Sequence, residues 1–316
     1  MPAARTRLSI LLALSASLGV AAPALASVSG PQAATAPAGA QTPGAPPATA
    51  PTSGAPAPGA PPVTAPQTRP ALPPHKRRRK HKRLPAYPSR GAVADAVRYL
   101  DGRAGRTSLA VVDDHGRLSG VRLREHFESA SVVKVMFLTA FLQLLHAVDR
   151  EVSAFDSSLL YPMIHESNNE DASAVLDRVG TAAVARVARE AGMQDYAPGV
   201  GWWAYTQTSA ADQARLFVAI ERLIPRRFWP YARGLLAGIE PEQSWGVPEV
   251  ARPRWQVFFK TGALPSEGLF VEGARLERAG VTFTVAVFTT GDPSMSYGEE
   301  TIRGVAARLL ANAPPR

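Results

Sequence analysis

The rhythm of apolar and polar positions changes several times along the chain, and each change predicts an element. Arg5 and Arg7 precede an apolar run from Leu8 to Leu18, followed by Ala24-Leu25-Ala26. The run is shorter than the ~20 residues of a membrane-spanning helix. With the small-residue pattern after it, it predicts a signal peptide over residues 1–26, cleaved before Ser27. No later stretch reads as long and apolar enough to cross a bilayer. Residues 27–88 show no apolar period. From residue 89 globular patterning begins. Val93, Val97 and Leu100 share one face of a helix over 91–101. Residues 108–112 and 118–123 read as strands around the turn Asp113-Asp114-His115-Gly116. Helices are predicted over 131–146, 171–179, 182–191 and 210–223. Strands return at 255–259, 269–276 and 281–289, and a last helix fits 298–310. No internal repeat is present. This order predicts an α/β fold, a three-layer sandwich. Its antiparallel sheet is flanked by the terminal helices and interrupted by an inserted all-helical subdomain.

Composition changes the picture at the N-terminus. Residues 27–74 are almost entirely Ala, Pro, Thr, Gly, Ser and Gln. So little large apolar surface cannot offset ordering entropy, which predicts a disordered linker over 27–88. In extended form residues 27–74 reach on the order of 150 Å. Charge is equally uneven. Residues 1–90 hold eleven of the 35 basic residues and no acid, leaving 24 basic against all 26 acidic residues in the remainder. The high isoelectric point therefore belongs to the tail, concentrated in the basic run His75 to Arg83. Outside a cell this run faces cell-wall polyanions or anionic lipids, or is simply a solvated spacer. No nucleic-acid fold or interleaved aromatics accompany it, so no nucleic-acid partner is expected. The chain has no cysteine, so the domain must be held by packing alone. The six histidines show no metal-ligand spacing and there is no phosphate-binding glycine loop. Neither a cofactor nor a metal is expected, and the chain is expected to act as a monomer.

Three short constellations carry candidate chemistry. Ser131-Val132-Val133-Lys134 places a hydroxyl and an amine one helical turn apart. Serine needs a base to become a nucleophile, and a partly buried lysine loses its proton readily. The flanking Val135, Met136 and Phe137 make this a buried helix, a costly place for an idle lysine. Ser167-Asn168-Asn169 offers a proton relay and a side-chain amide, although Ser and Asn also suit an ordinary helix cap. Lys260-Thr261-Gly262 ends an apolar strand with a cation, a hydroxyl and a residue without a side chain. That set can bind a carboxylate and let substrate lie against the backbone, or can simply form a turn.

Taken together and in this order, the three resemble the S-x-x-K, S-x-N and K-T-G set of class A β-lactamases and penicillin-binding proteins. The resemblance spans roughly 90–316. Gln243-Ser244-Trp245-Gly246 is similar to a segment of actinobacterial class A-related serine hydrolases. The resemblance implies Ser131 as acylated nucleophile, Lys134 as its proton partner and Ser167 as relay. It implies Asn169, Lys260, Thr261 and Gly262 as substrate contacts. The backbone N–H groups of Ser131 and Ala263 become the oxyanion hole. The implied partner is a small molecule, a β-lactam or a peptidoglycan-related amide or ester. Two positions depart from the pattern. Asn168 replaces the family's Asp. The stretch 192–208 lacks the omega-loop Glu that activates the deacylating water in class A enzymes, and Asp195 is its only acid. Glu166, Glu170 and Asp171 read as solvent-facing charge. Trp202, Trp203 and Tyr205 read as cleft wall or core. An acyl-enzyme that hydrolyses slowly is the consequence.

Overall fold

Strands buried on both faces need a layer on each side, and the described residues include four of them. The computed structural model describes residues 84–312. In chain order it contains α1 (Arg90–Asp101), β1 (Arg106–Val112), β2 (Leu118–Val121), β3 (Phe127–Glu128), α2 (Lys134–Ala147), α3 (Ala154–His165) and α4 (Asn169–Ala191). Then follow β4 (Gln207–Thr208), α5 (Ala210–Leu223), α6 (Trp229–Ala237), α7 (Val247–Ala251), β5 (Gln256–Leu264), β6 (Leu269–Arg278), β7 (Val281–Thr290) and α8 (Met295–Leu309). The five-stranded sheet runs β2-β1-β7-β6-β5, antiparallel throughout. β1, β5, β6 and β7 are buried along most of their length. Helices α1 and α8 pack together over one face, while α5 covers the other. The helical block between β3 and β5 is built on α2, α3 and α4. The three-layer α/β sandwich with an inserted helical subdomain is therefore observed.

Several boundaries differ from the sequence reading for identifiable reasons. The helices expected at 171–179 and 182–191 are one element, α4, kinked at Gly180, where φ is +74°. Glycine reaches that conformation without a Cβ penalty. Helix α3 went unread because Pro162 sits inside it, and α6 because it is short and opens on a proline. The segment Ala130–Ala147 is, by length and composition, apolar enough to cross a membrane, which corrects the expectation that none was. It is mostly buried, a core helix packed on α4, α3 and α5, with its 3-10 lead-in against β5.

The linker boundary also moves. Residues 1–83, with the signal peptide, most of the linker and the basic run, lie outside the described residues. Within the last linker residues, however, Tyr87 is buried. Its ring stacks on Trp255 at 5.4 Å and meets Phe283 edge-on at 5.6 Å. Its hydroxyl donates to the Asn312 carbonyl at 2.9 Å. Burial pushes that hydroxyl up to about 12. An aromatic with these contacts belongs to the core, so the ordered domain starts before residue 89.

Candidate active site

Ser131 lies in a short 3-10 segment, Ala130–Val133, that leads into α2. Ala130 before it holds φ +42°, a left-handed conformation that a residue with a Cβ adopts only when its surroundings impose it. What imposes it is β5, which packs directly on this segment. A Cβ on Gly262 would stand 2.7 Å from the Ser131 backbone nitrogen and 3.0 Å from the Ala130 Cβ. Gly262 is therefore required by close approach of two backbones. Ala263, next along the strand and paired with Phe270, is half-buried.

Lys134 opens α2 and is completely buried, as is every residue from Val132 to Leu142. Its Nζ donates to the Ser167 carbonyl at 2.5 Å and to Asn169 Oδ1 at 2.8 Å, and is hydrogen-bonded to Ser167 Oγ at 3.2 Å. Burial, reinforced by the charge of Lys260 and opposed by Asp171, lowers its pKa to about 6. At neutral pH the amine is mostly a free base, whose two N–H groups serve the Ser167 carbonyl and Asn169 Oδ1 and whose lone pair faces the Ser167 hydroxyl. Ser167 itself sits at φ +61° between α3 and α4, which turns both its carbonyl and its hydroxyl toward Lys134.

Asn168 has a different task from its neighbours. Its Oδ1 accepts from the backbone N–H of Glu170 at 2.8 Å and of Asp171 at 3.0 Å, capping α4. The capping role and the chemical role proposed for this tripeptide thus fall on different residues. Of the nearby acids, Glu166 and Glu170 are exposed as expected. Asp171 is not simply solvent-facing: it is half-buried, and burial, with Glu170 and Glu166 behind it, raises its pKa.

On β5, Lys260 is wholly buried and donates to the Thr261 carbonyl at 3.1 Å. Burial lowers its pKa to about 7, with Glu240 and Glu272 opposing. Thr261 Oγ1 donates to the Gln243 carbonyl at 3.0 Å, so the hydroxyl must turn from that carbonyl to reach a substrate carboxylate. The Gln243–Gly246 segment thereby braces the strand. Trp245 is buried edge-on to Phe270 at 6.5 Å. Glu272, opposite Thr261 on β6, accepts from the Val247 N–H at 3.0 Å. Burial raises its pKa well above the usual carboxylate range. Sequence reasoning missed Glu272. Its only signal was an acid inside the apolar first half of a strand.

The loop over 192–208 carries the largest departure. Trp203 is buried, with its ring centre 4.9 Å from Lys134 Nζ and edge-on to Phe137 at 5.8 Å. Its Nε1–H donates to Ser173 Oγ at 3.0 Å. Trp202 and Tyr205 are partly exposed beside it, each 5.4 Å from its neighbour in the order Trp203, Trp202, Tyr205. Asp195 does not join this group. Its carboxylate accepts from Arg124 at 2.6 Å and Ser209 at 2.8 Å. Those bonds and the Arg124 charge outweigh burial and hold its pKa low. No group of three or more metal-ligating side chains is present among the described residues.

Ser131, Lys134, Ser167, Asn169, Lys260 and Gly262 thus converge from α2, the α3–α4 junction and β5. The hydroxyl bonded to the Lys134 amine is that of Ser167. Ser131 lies one turn earlier in the chain, with no hydrogen bond between Ser131 Oγ and Lys134 Nζ among the described residues. A basic amine near a serine hydroxyl can drive acyl transfer.

Known proteins agree with this architecture. The β-lactamase from Sphaerobacter thermophilus superposes with a TM-score of 0.62 at 20% identity, over 71% of this chain and 98% of that one. A representative class A β-lactamase from Bacteroides cellulosilyticus gives 0.62 at 14% identity, over 71% and 98%. At such identities the likeness is one of fold. No curated protein matches the sequence. The model of the beta-lactamase enzyme family matches residues 156–313, a segment that includes Ser167, Asn169 and Lys260 and begins after Ser131. With that match over half of its length, the chain belongs to the beta-lactamase enzyme family and is a serine hydrolase.

Proposed function

We propose that the chain is a secreted hydrolase acylated at Ser131 by β-lactams or related small amides and esters, and that it releases the acyl group slowly. The observation that carries this reading is the surrounding of Lys134. A buried amine is held by Ser167 and Asn169, and an indole rather than a carboxylate lies against it. Lys134 takes the proton from Ser131 Oγ as the oxygen attacks the substrate carbonyl carbon. The backbone N–H groups of Ser131 and Ala263 receive the resulting oxyanion. Collapse breaks the acyl C–N bond, and Ser167 hands a proton, resupplied from Lys134, to the departing nitrogen. Lys260 and Thr261 hold the substrate carboxylate.

Deacylation needs a second base, this time for water. Trp203 cannot supply one, and Asp195 is committed to Arg124 and Ser209. General-base assistance is typically worth about 10²–10⁴-fold, so an acyl-enzyme without it outlasts one that has it.

Intact-mass spectrometry with benzylpenicillin tests the reading. A burst of one covalent adduct on Ser131, decaying slowly and absent from Ser131→Ala, is expected. Clearance of penicillin with no detectable adduct refutes slow deacylation, and an adduct on Ser131→Ala refutes the nucleophile. Release of D-alanine from a D-Ala-D-Ala peptide would instead identify a peptidoglycan D,D-peptidase. Penicillin retained without a covalent bond would identify a non-hydrolytic wall-binding module.

Within the same proposal, residues 1–26 direct export, and the linker's basic run, 75–83, adheres to wall polyanions. Deleting the linker is then expected to leave turnover of a soluble substrate unchanged and to lower retention on isolated walls at low salt. Retention insensitive to both salt and deletion refutes the electrostatic tether.

A further inference from the structure

Beside Trp203 lies a cavity of about 380 Å³ between α4, α2 and the 192–208 loop. That volume falls in the range of small-ligand pockets. Ser131, Lys134 and Lys260 are not among its lining residues, while Trp203, which lies against Lys134, is. Leu176, Val184, Tyr196, Trp202 and Trp203 give it an apolar, largely aromatic lining. Asp177 is the one charged residue on that lining among the described residues, with Thr181 beyond the Gly180 kink of α4 also lining it. The neighbouring cation, Arg178, is turned to Asp156 at 3.8 Å and to the Phe155 ring at 4.6 Å. Asp177 consequently has no ion-pair partner among the described residues, and it is exposed.

We propose that this chamber is a binding site for a small organic cation, with a flat apolar body against the tryptophans and an ammonium at Asp177. Charge and shape favour that class over the alternatives. A lone carboxylate at the mouth repels an anion, and the aromatic faces attract a cation further. A purely polar ligand would leave the lining unpaired. The site also communicates with the cleft. Trp203 forms its wall and donates to Ser173, whose hydroxyl donates to the Asn169 carbonyl at 3.1 Å, and Asn169 Oδ1 accepts from Lys134. An occupant that shifts the indole therefore shifts a residue touching the catalytic amine.

The test is calorimetric titration of the full-length chain with 2-phenylethylamine, with 3-phenylpropionate as the anion of similar shape. Saturable binding of the amine alone is expected, weakened about fivefold in Asp177→Asn, the upper end for one exposed ion pair. Thr181→Arg, an exposed substitution that places a fixed cation at the mouth, is expected to weaken it at least as much. Ser131→Ala is expected to bind normally, so the outcome is independent of whether Ser131 is acylated. Equal affinity for the two probes, no saturable binding of the amine, or unchanged binding in both mouth variants overturns the proposal.

Discussion

Replacing Lys134 by Met separates the chemical role of the amine from its cost to the fold. The substitution is nearly isosteric and removes the proposed base, so acylation is expected to slow by about 10²–10⁴-fold. It also removes a buried titratable group. The free amine of the folded chain has a pKa of about 6 against an ordinary lysine value of 10.5. Between these values the unfolded chain binds a proton that the folded chain does not, so wild-type stability rises with pH across that window. The slope for one proton is about 1.4 kcal/mol per pH unit, which amounts to about 2–3 kcal/mol between pH 7 and pH 9. The variant lacks this dependence. Its loss of hydrogen bonds to Ser167 and Asn169 is the same at every pH. Urea denaturation of both proteins at pH 7, 8 and 9 is therefore expected to show the variant losing ground to wild type by that amount as pH rises. The subtraction cancels the similar contribution of Lys260. A pH-independent difference would mean that Lys134 is protonated at neutral pH, and undiminished labelling by a fluorescent penicillin would mean that it is not the base.

Three further outcomes follow from the site. For a substrate bearing a carboxylate, acylation by the free enzyme needs Lys134 unprotonated and Lys260 protonated, which gives a bell-shaped kcat/KM profile peaking between about 6 and 7. A carboxylate-free ester should keep the rising limb and lose the falling one, and identical profiles would remove Lys260 from substrate binding. Asp195→Asn is expected to cost about 1–3 kcal/mol by weakening the bonds to Arg124 and Ser209, while the adduct lifetime stays the same. A longer-lived adduct in mass spectrometry would make Asp195 the missing base. Gly262→Ala places a methyl 2.7 Å from the Ser131 nitrogen. It is expected to slow penicillin labelling by about 10²-fold through displacement of the nucleophile, whereas wild-type labelling would refute the close approach.

Periodicity and local chemistry determined much of this protein without its tertiary structure. Ten of the described elements, from α1 to α8, follow from apolar spacing, because each buries one face or both in a single core. Ser131, Lys134, Ser167 and Lys260 stood out as candidates because the proposed chemistry needs particular residue types at short, fixed spacing. What spacing cannot carry is what fills the space between elements distant in the chain. That Trp203 lies against Lys134, that Glu272 sits under Thr261, that Asp195 is consumed by Arg124 and that Tyr87 closes the core all depend on contacts between remote segments. Asn168 shows the boundary most clearly. The sequence offered a helix cap or a catalytic motif, and only the φ of +61° at Ser167 divided the tripeptide so that Asn168 caps α4 while its two neighbours hold the lysine.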